Sequence, residues 1–202
     1  MALSSDAELQ SEPTIRLVTQ TDLPSEWLSE FRDNLDAAST DFDVRRIDPA
    51  PMAGILLYMM QAAMIFVASQ YFGSMASEAG KDHYQSLRNA VLKLWSRLKV
   101  VEVTIIGSSQ AKLKNADRFN LLLSINGHAE DGSKLKLIFE KGTSDTLAAA
   151  GLEQFFNLLT RLDNAAATCE DAMMLERCRS IGKTKVLTVS QQNGNLIPAD
   201  PV

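Results

Sequence analysis

Residues 49–77, a run of 29, contain no Asp, Glu, Lys, Arg or His, and no other feature of the chain constrains its fold as strongly. A stretch this apolar does not lie bare in water, so something must shelter it. Roughly 20 predominantly apolar residues suffice to cross a bilayer as a helix, and the segment 52–72 is predicted to be helical. Gln61 near its middle and Gln70 near its end weaken full exposure to lipid, because an amide in hydrocarbon needs a hydrogen-bonding partner. Met52, Met59, Met60 and Met64 give it an adaptable surface, as common in irregular cores as in docking faces. Three readings stay open: a helix buried in a soluble α+β core, a membrane-inserted helix, and a self-association surface.

The next stretch, 78–98, reads as a second helix. Tyr84, Leu87, Val91, Leu94 and Leu98 step by three and four residues, and Trp95 widens the seam. Lys81, Arg88, Lys93, Arg97 and Lys99 fall elsewhere on its surface. The two segments together are expected to form a helical hairpin with one apolar and one basic amphipathic arm.

Ahead of the hairpin, Ile15, Leu17 and Thr19 alternate as a strand. Asp22, Pro24 and Ser25 supply capping residues before a helix carrying Trp27, Leu28, Phe31 and Leu35. A second strand holds Phe42 and Val44. Strand, helix and strand over this length predict a βαβ unit with parallel neighbours.

Behind the hairpin the apolar period changes from 3.6 to 2. Val101, Val103 and Ile105 alternate, as do Phe119, Leu121, Leu123 and Ile125, then Leu135, Leu137 and Phe139. The last two runs flank Glu130-Asp131-Gly132, a strong hairpin signal. Apolar and polar faces in alternation predict an antiparallel sheet with one side in water. A helix with Leu152, Phe155, Phe156, Leu159 and Leu162 on its buried stripe follows, then a helical piece at 169–180. A last hairpin is expected, turning at Asn193-Gly194.

The predicted fold class is thus α+β: an N-terminal βαβ unit, a helical hairpin, then an antiparallel β-meander backed by a helix and a final hairpin. In domain terms this is an acidic head (1–48), the hairpin (49–99) and the sheet with its packing helix (100–202), which can also close into one composite domain.

Charge follows the same divisions. The first 48 residues carry a net −7, residues 78–141 a net +4 and residues 142–202 a net −2, for −5 in all. The asymmetry points to an oriented surface facing anionic lipid or an acidic partner, with a solvated charge mosaic as the bland alternative. A net negative chain with few aromatics among its cations argues against nucleic acid. The acidic start lacks the basic and apolar regions of a secretory signal, so a cytoplasmic protein is expected. Cys169 and Cys178, nine residues apart, sit on opposite faces of one helix and read as buried or half-buried reduced thiols.

Candidate chemistry is sparse. Glu78, Lys81, Asp82 and His83 form the densest ionisable cluster, and a histidine among carboxylates can serve as a general base. Neighbouring helical residues diverge by about 100°, however, and acids in a first turn are favoured by the helix dipole alone. His128, at the end of a strand, reads as an exposed turn residue. Two histidines and two ill-placed cysteines exclude a structural zinc site, and neither phosphate-loop nor serine-hydrolase glycine motifs occur. No metal and no cofactor are expected.

The resulting expectation is a non-enzymatic binding module. It would dock to an anionic membrane surface or a partner protein, its own copy included, through Met59, Met60, Met64 and Phe66 together with Lys81, Arg88, Lys93 and Arg97. The alternatives are an enzyme or small-ligand binder using Lys81, Asp82 and His83, and a structural subunit of a larger assembly.

Overall fold

In the computed structural model, which describes residues 14–19, 23–36, 41–47, 62–69, 71, 78–101 and 118–200, the chain begins with the expected βαβ unit. Strand β1 (Ile15–Thr19), helix α1 (Ser25–Asp36) and strand β2 (Phe42–Arg46) follow in order, and the two strands pair in parallel, Leu17 opposite Val44. Five more described elements carry the sheet onward: β3 (Ala63–Val67), β4 (Phe119–His128), β5 (Lys134–Glu140), β6 (Ser180–Ile181) and β7 (Thr184–Val189). Their order is β2-β1-β3-β4-β5-β7-β6, and β8 (Leu196–Pro198) pairs with β7. Helices α2 (Glu78–Leu98), α3 (Asp145–Asp163) and α4 (Cys169–Arg177) complete the described elements. The described residues form a mixed α/β fold built on one eight-stranded sheet.

The expected apolar helix is corrected over Ala63–Val67, which is a strand. It lies between β1, to which it runs antiparallel, and β4, to which it runs parallel. A strand flanked on both sides and covered on both faces is apolar throughout, so it lacks the alternation that would distinguish it from a buried helix. Ile65, Phe66 and Val67, β-branched or aromatic, are the residues that favour the extended form. No described helix is long and apolar enough to cross a membrane. Met59, Met60 and the rest of 52–61 lie outside the described residues, as does the strand expected at 101–105 beyond Val101.

All four described helices contribute to one hydrophobic core on one face of the sheet. Phe31 and Leu35 of α1, Leu87, Val91, Leu94 and Trp95 of α2, Leu152, Phe155, Phe156 and Leu159 of α3, and Leu175 of α4 join Leu17, Ile65, Ile125, Leu137 and Leu187 of the strands. Trp95 stacks tilted on Phe139 with ring centroids 4.6 Å apart. Helix α3 reaches the sheet closely because Gly151 has no side chain: a Cβ there would lie 2.2 Å from Val189 Cγ2. The β4–β5 hairpin turns through Gly132 at a φ of 83°, as the Asp-Gly pair requires. Its register shifts between Asn120 and Ser124, where Asn120 Oδ1 accepts the Leu122 N–H at 2.9 Å, and Leu122 and Leu123 both reach the main core. The final hairpin, β7 with β8, is antiparallel as expected. The joint between the two hairpins is parallel, β5 beside β7, because α3 carries the chain across the sheet.

The polar face of this sheet does not meet water as its alternation suggests. Ser124, Asn126, Lys136 and Thr188 are all buried, and Phe119, Ile138, Val186 and Ala199 form a second apolar cluster on that side. A two-sided sheet keeps its polar positions only by enclosing them, and Asn126 donates to Ser124 Oγ at 3.4 Å.

Candidate functional site

The residues singled out in the sequence fall in three places. Alternation along β3 puts Ile65 and Val67 in the helix-covered core and turns Met64 and Phe66 to the other face. The cations of α2 are on the helix side, so the sheet separates Met64 and Phe66 from Arg88, Lys93 and Arg97. Two of those cations are already engaged within the chain. Arg97 pairs with Glu30 of α1 and holds its guanidinium carbon 5.7 Å from the centre of the Trp27 ring. Lys93 approaches Glu30 at 3.6 Å and donates to Asn34 Oδ1 at 3.3 Å. At the end of α2, Lys99 meets Asp145 of α3 at 2.7 Å. The acidic head and basic middle of the sequence thus face each other across the α1–α2 contact. Arg88 is half-buried on α2, while Asp82 is exposed and His83 half-buried near its start; the Lys81 side chain lies outside the described residues. No cluster of three metal-binding side chains exists among the described residues. Cys169 is exposed rather than half-buried, since it opens α4 at the surface. Cys178 is buried, and burial pushes its thiol up to about 11.

A large concavity lies elsewhere on the described surface. A groove of about 530 Å³ runs between α3, α4 and β8, a size in the range of natural ligand sites. One wall is the stripe Gln154, Asn157, Leu158 and Arg161 of α3, and the other is Glu170, Met173, Met174 and Arg177 of α4. Both stripes follow the i, i+3, i+4, i+7 spacing of a single helix face. Asn195, Leu196, Ile197 and Pro198 close one side. Met173 is 52% exposed, the most exposed large apolar side chain on any described helix.

The walls are held apart by a hub at Asp171. Thr168 caps α4, accepting the Asp171 N–H at 3.1 Å, and Asp171 Oδ2 accepts the Thr168 N–H at 2.9 Å in return. The same carboxylate receives Arg161 Nε at 2.8 Å and Nη2 at 2.6 Å. The guanidinium, helped by the Thr168 donors and opposed by burial, holds the Asp171 carboxyl down at about 2. Glu170 and Arg177, at the two ends of α4, make no hydrogen bond or ion pair among the described residues.

The β8 side is closed to strand addition. The Leu196 N–H donates to Gln154 Oε1 at 3.1 Å, while Gln154 Nε2 donates to Gly194 O at 3.2 Å, and Pro198 has no N–H to offer. What the groove offers a visitor is therefore side chains: two methionines on its α4 wall, flanked by two uncommitted charges, with carboxamides across from them.

The helix expected at 169–180 is present over Cys169–Arg177, with Cys178 as its C-cap and Ser180 already in β6, but its Glu170-Met173-Met174-Arg177 face was not legible in sequence. That stripe is short, and its spacing becomes informative only once α3 is seen to present a matching stripe across from it. No family model, curated protein or solved structure matches the chain.

Proposed function

We propose that this protein is a non-enzymatic interaction module whose docking site is the α3–α4 groove, and that it receives an amphipathic helix. The supporting observation is Met173, an apolar side chain left half in water on the α4 wall of a ligand-sized groove. Helices bind grooves by laying an apolar ridge between two walls, and methionine adapts to such ridges at low cost. The blocked β8 edge favours this mode over strand addition. The engagement of Lys93 and Arg97 with α1 supports a docking face away from α2 and weakens the case for an anionic membrane.

Panning a displayed library of helical peptides against the full chain, with Met173→Glu as counter-selection, tests the reading. The expected result is a set of peptides with apolar residues at i, i+3/i+4 and i+7 that lose at least tenfold in affinity for the Met173→Glu protein. Peptides that bind both proteins equally, or no enriched peptide at all, would end it.

A further inference from the structure

The open groove stripe has a symmetry of its own. Glu170 and Arg177 are seven residues apart, which is about 10 Å along the axis and within about 20° in direction on an α-helix. Met173 and Met174 lie midway between them on the same face. Turning α4 end for end about that midpoint sets Glu170 against Arg177, Arg177 against Glu170, and methionine against methionine. An isologous dimer has this property: one patch complements itself under a two-fold rotation.

Resting on the groove reading above, we infer that the helix the groove receives is α4 of a second copy of this chain, laid antiparallel about a two-fold axis at Met173 and Met174. Charge complementarity singles out this occupant. The acid and the base that flank the methionines have no partner among the described residues. The charges also agree with the helix ends, acid at the N-terminus and base at the C-terminus, so each end meets the opposite charge of its copy. An α4 of nine residues buries little area, so the dimer is weak and concentration-dependent, with a Kd on the order of tens of micromolar.

Sedimentation velocity on the full chain across a concentration series tests this, using Glu170→Lys, Arg177→Glu and the two combined. Each single reversal sets like charges face to face twice and should weaken self-association about tenfold. The combined variant restores both pairs, so its Kd should return to within about threefold of the wild type. Harm to α4 itself would give the opposite order, because the combined variant opposes the helix dipole at both ends. A second readout is mild oxidation of Met173→Cys in a Cys169→Ser background, which should yield a disulfide-linked dimer. A wild type that stays monomeric throughout the series, or a dimer indifferent to the single reversals, would overturn the second copy as occupant. Helical peptides that still bind in a Met173-dependent way would then leave the groove itself standing.

Discussion

Arg161 and Asp171 form a two-pronged ion pair across the turn between α3 and α4, with Nε to Oδ2 at 2.8 Å and Nη2 to Oδ1 at 2.6 Å. Asp171 is only 7% exposed, and its carboxylate also completes the cap of α4. One side chain therefore fixes both the start of α4 and its distance from α3, the two dimensions that define the groove.

Asp171→Ala removes the cap and the pair together and should cost about 2 kcal/mol of stability in urea denaturation, since Arg161 keeps partial access to water. The pH dependence has a definite sign. The folded carboxyl titrates at about 2 against an ordinary 3.8, so its contribution is complete above roughly pH 4 and is lost as the pH falls toward 2. Wild type and variant should therefore converge in stability between pH 4 and pH 2; a gap that stays constant over that range would rule out the pair as its source.

The approach of α3 to β7 through Gly151 makes a second test. Gly151→Ala gains helix propensity but places a methyl group within 2.2 Å of Val189 Cγ2, and the net effect should be a loss of about 1–3 kcal/mol. Combining it with Val189→Ala opens room for the methyl group, so the two losses should add to less than their sum by about 1 kcal/mol. Strict additivity by thermal denaturation would mean that the helix stands further from the sheet.

The contact between acidic α1 and basic α2 is the third. Glu30→Lys confronts Arg97 and Lys93 with a like charge and should destabilise by about 1 kcal/mol at low salt, shrinking toward zero near 1 M salt. Adding Arg97→Glu should recover about half of the loss. A Glu30→Lys protein with unchanged stability would return the charge asymmetry of the chain to a solvated mosaic.

Most of the architecture was open to a reader of the sequence because local rules agreed with each other. The strand–helix–strand opening, the seam from Tyr84 to Leu98, the Asp-Gly and Asn-Gly turns and the α3 stripe each carry a period and a stop signal that point the same way. The 63–67 segment escaped because complete burial erases periodicity, leaving only β-branching at Ile65 and Val67 against a long apolar run. The basic helix was visible as basic, but what those charges face depends on α1, brought there by the sheet order and not by proximity in the chain. The groove was hidden for the same reason. Met173 looks like any helical methionine until Leu158 and Ile197, far from it in sequence, are found lining the same groove. Alternation puts Lys136 on the polar face of the sheet, but alternation alone cannot say whether that face is covered.

Lys136 gives the last prediction. It sits on β5 between Asn126 of β4 and Val186 of β7, only 4% exposed, and burial lowers its amine from 10.5 to about 8. A lowered lysine means that the folded state binds its proton less tightly than the unfolded state does. Stability is therefore reduced below about pH 8 and recovers as the pH rises from 8 toward 10.5, where the unfolded chain sheds its proton too. The recovery should be roughly 3 kcal/mol, the order that a depression of this size implies. Above pH 10 the buried hydroxyls of Tyr71 and Tyr84, which burial holds above their ordinary value, pull in the opposite direction. The difference between wild type and Lys136→Met cancels that slope and isolates the amine. Urea midpoints measured every half unit from pH 7 to 10 should show a nearly constant difference up to about pH 8 and the wild type gaining on the variant from there to pH 10. Parallel curves would mean that the amine titrates at its ordinary value, so that the second face of the sheet admits water at Lys136.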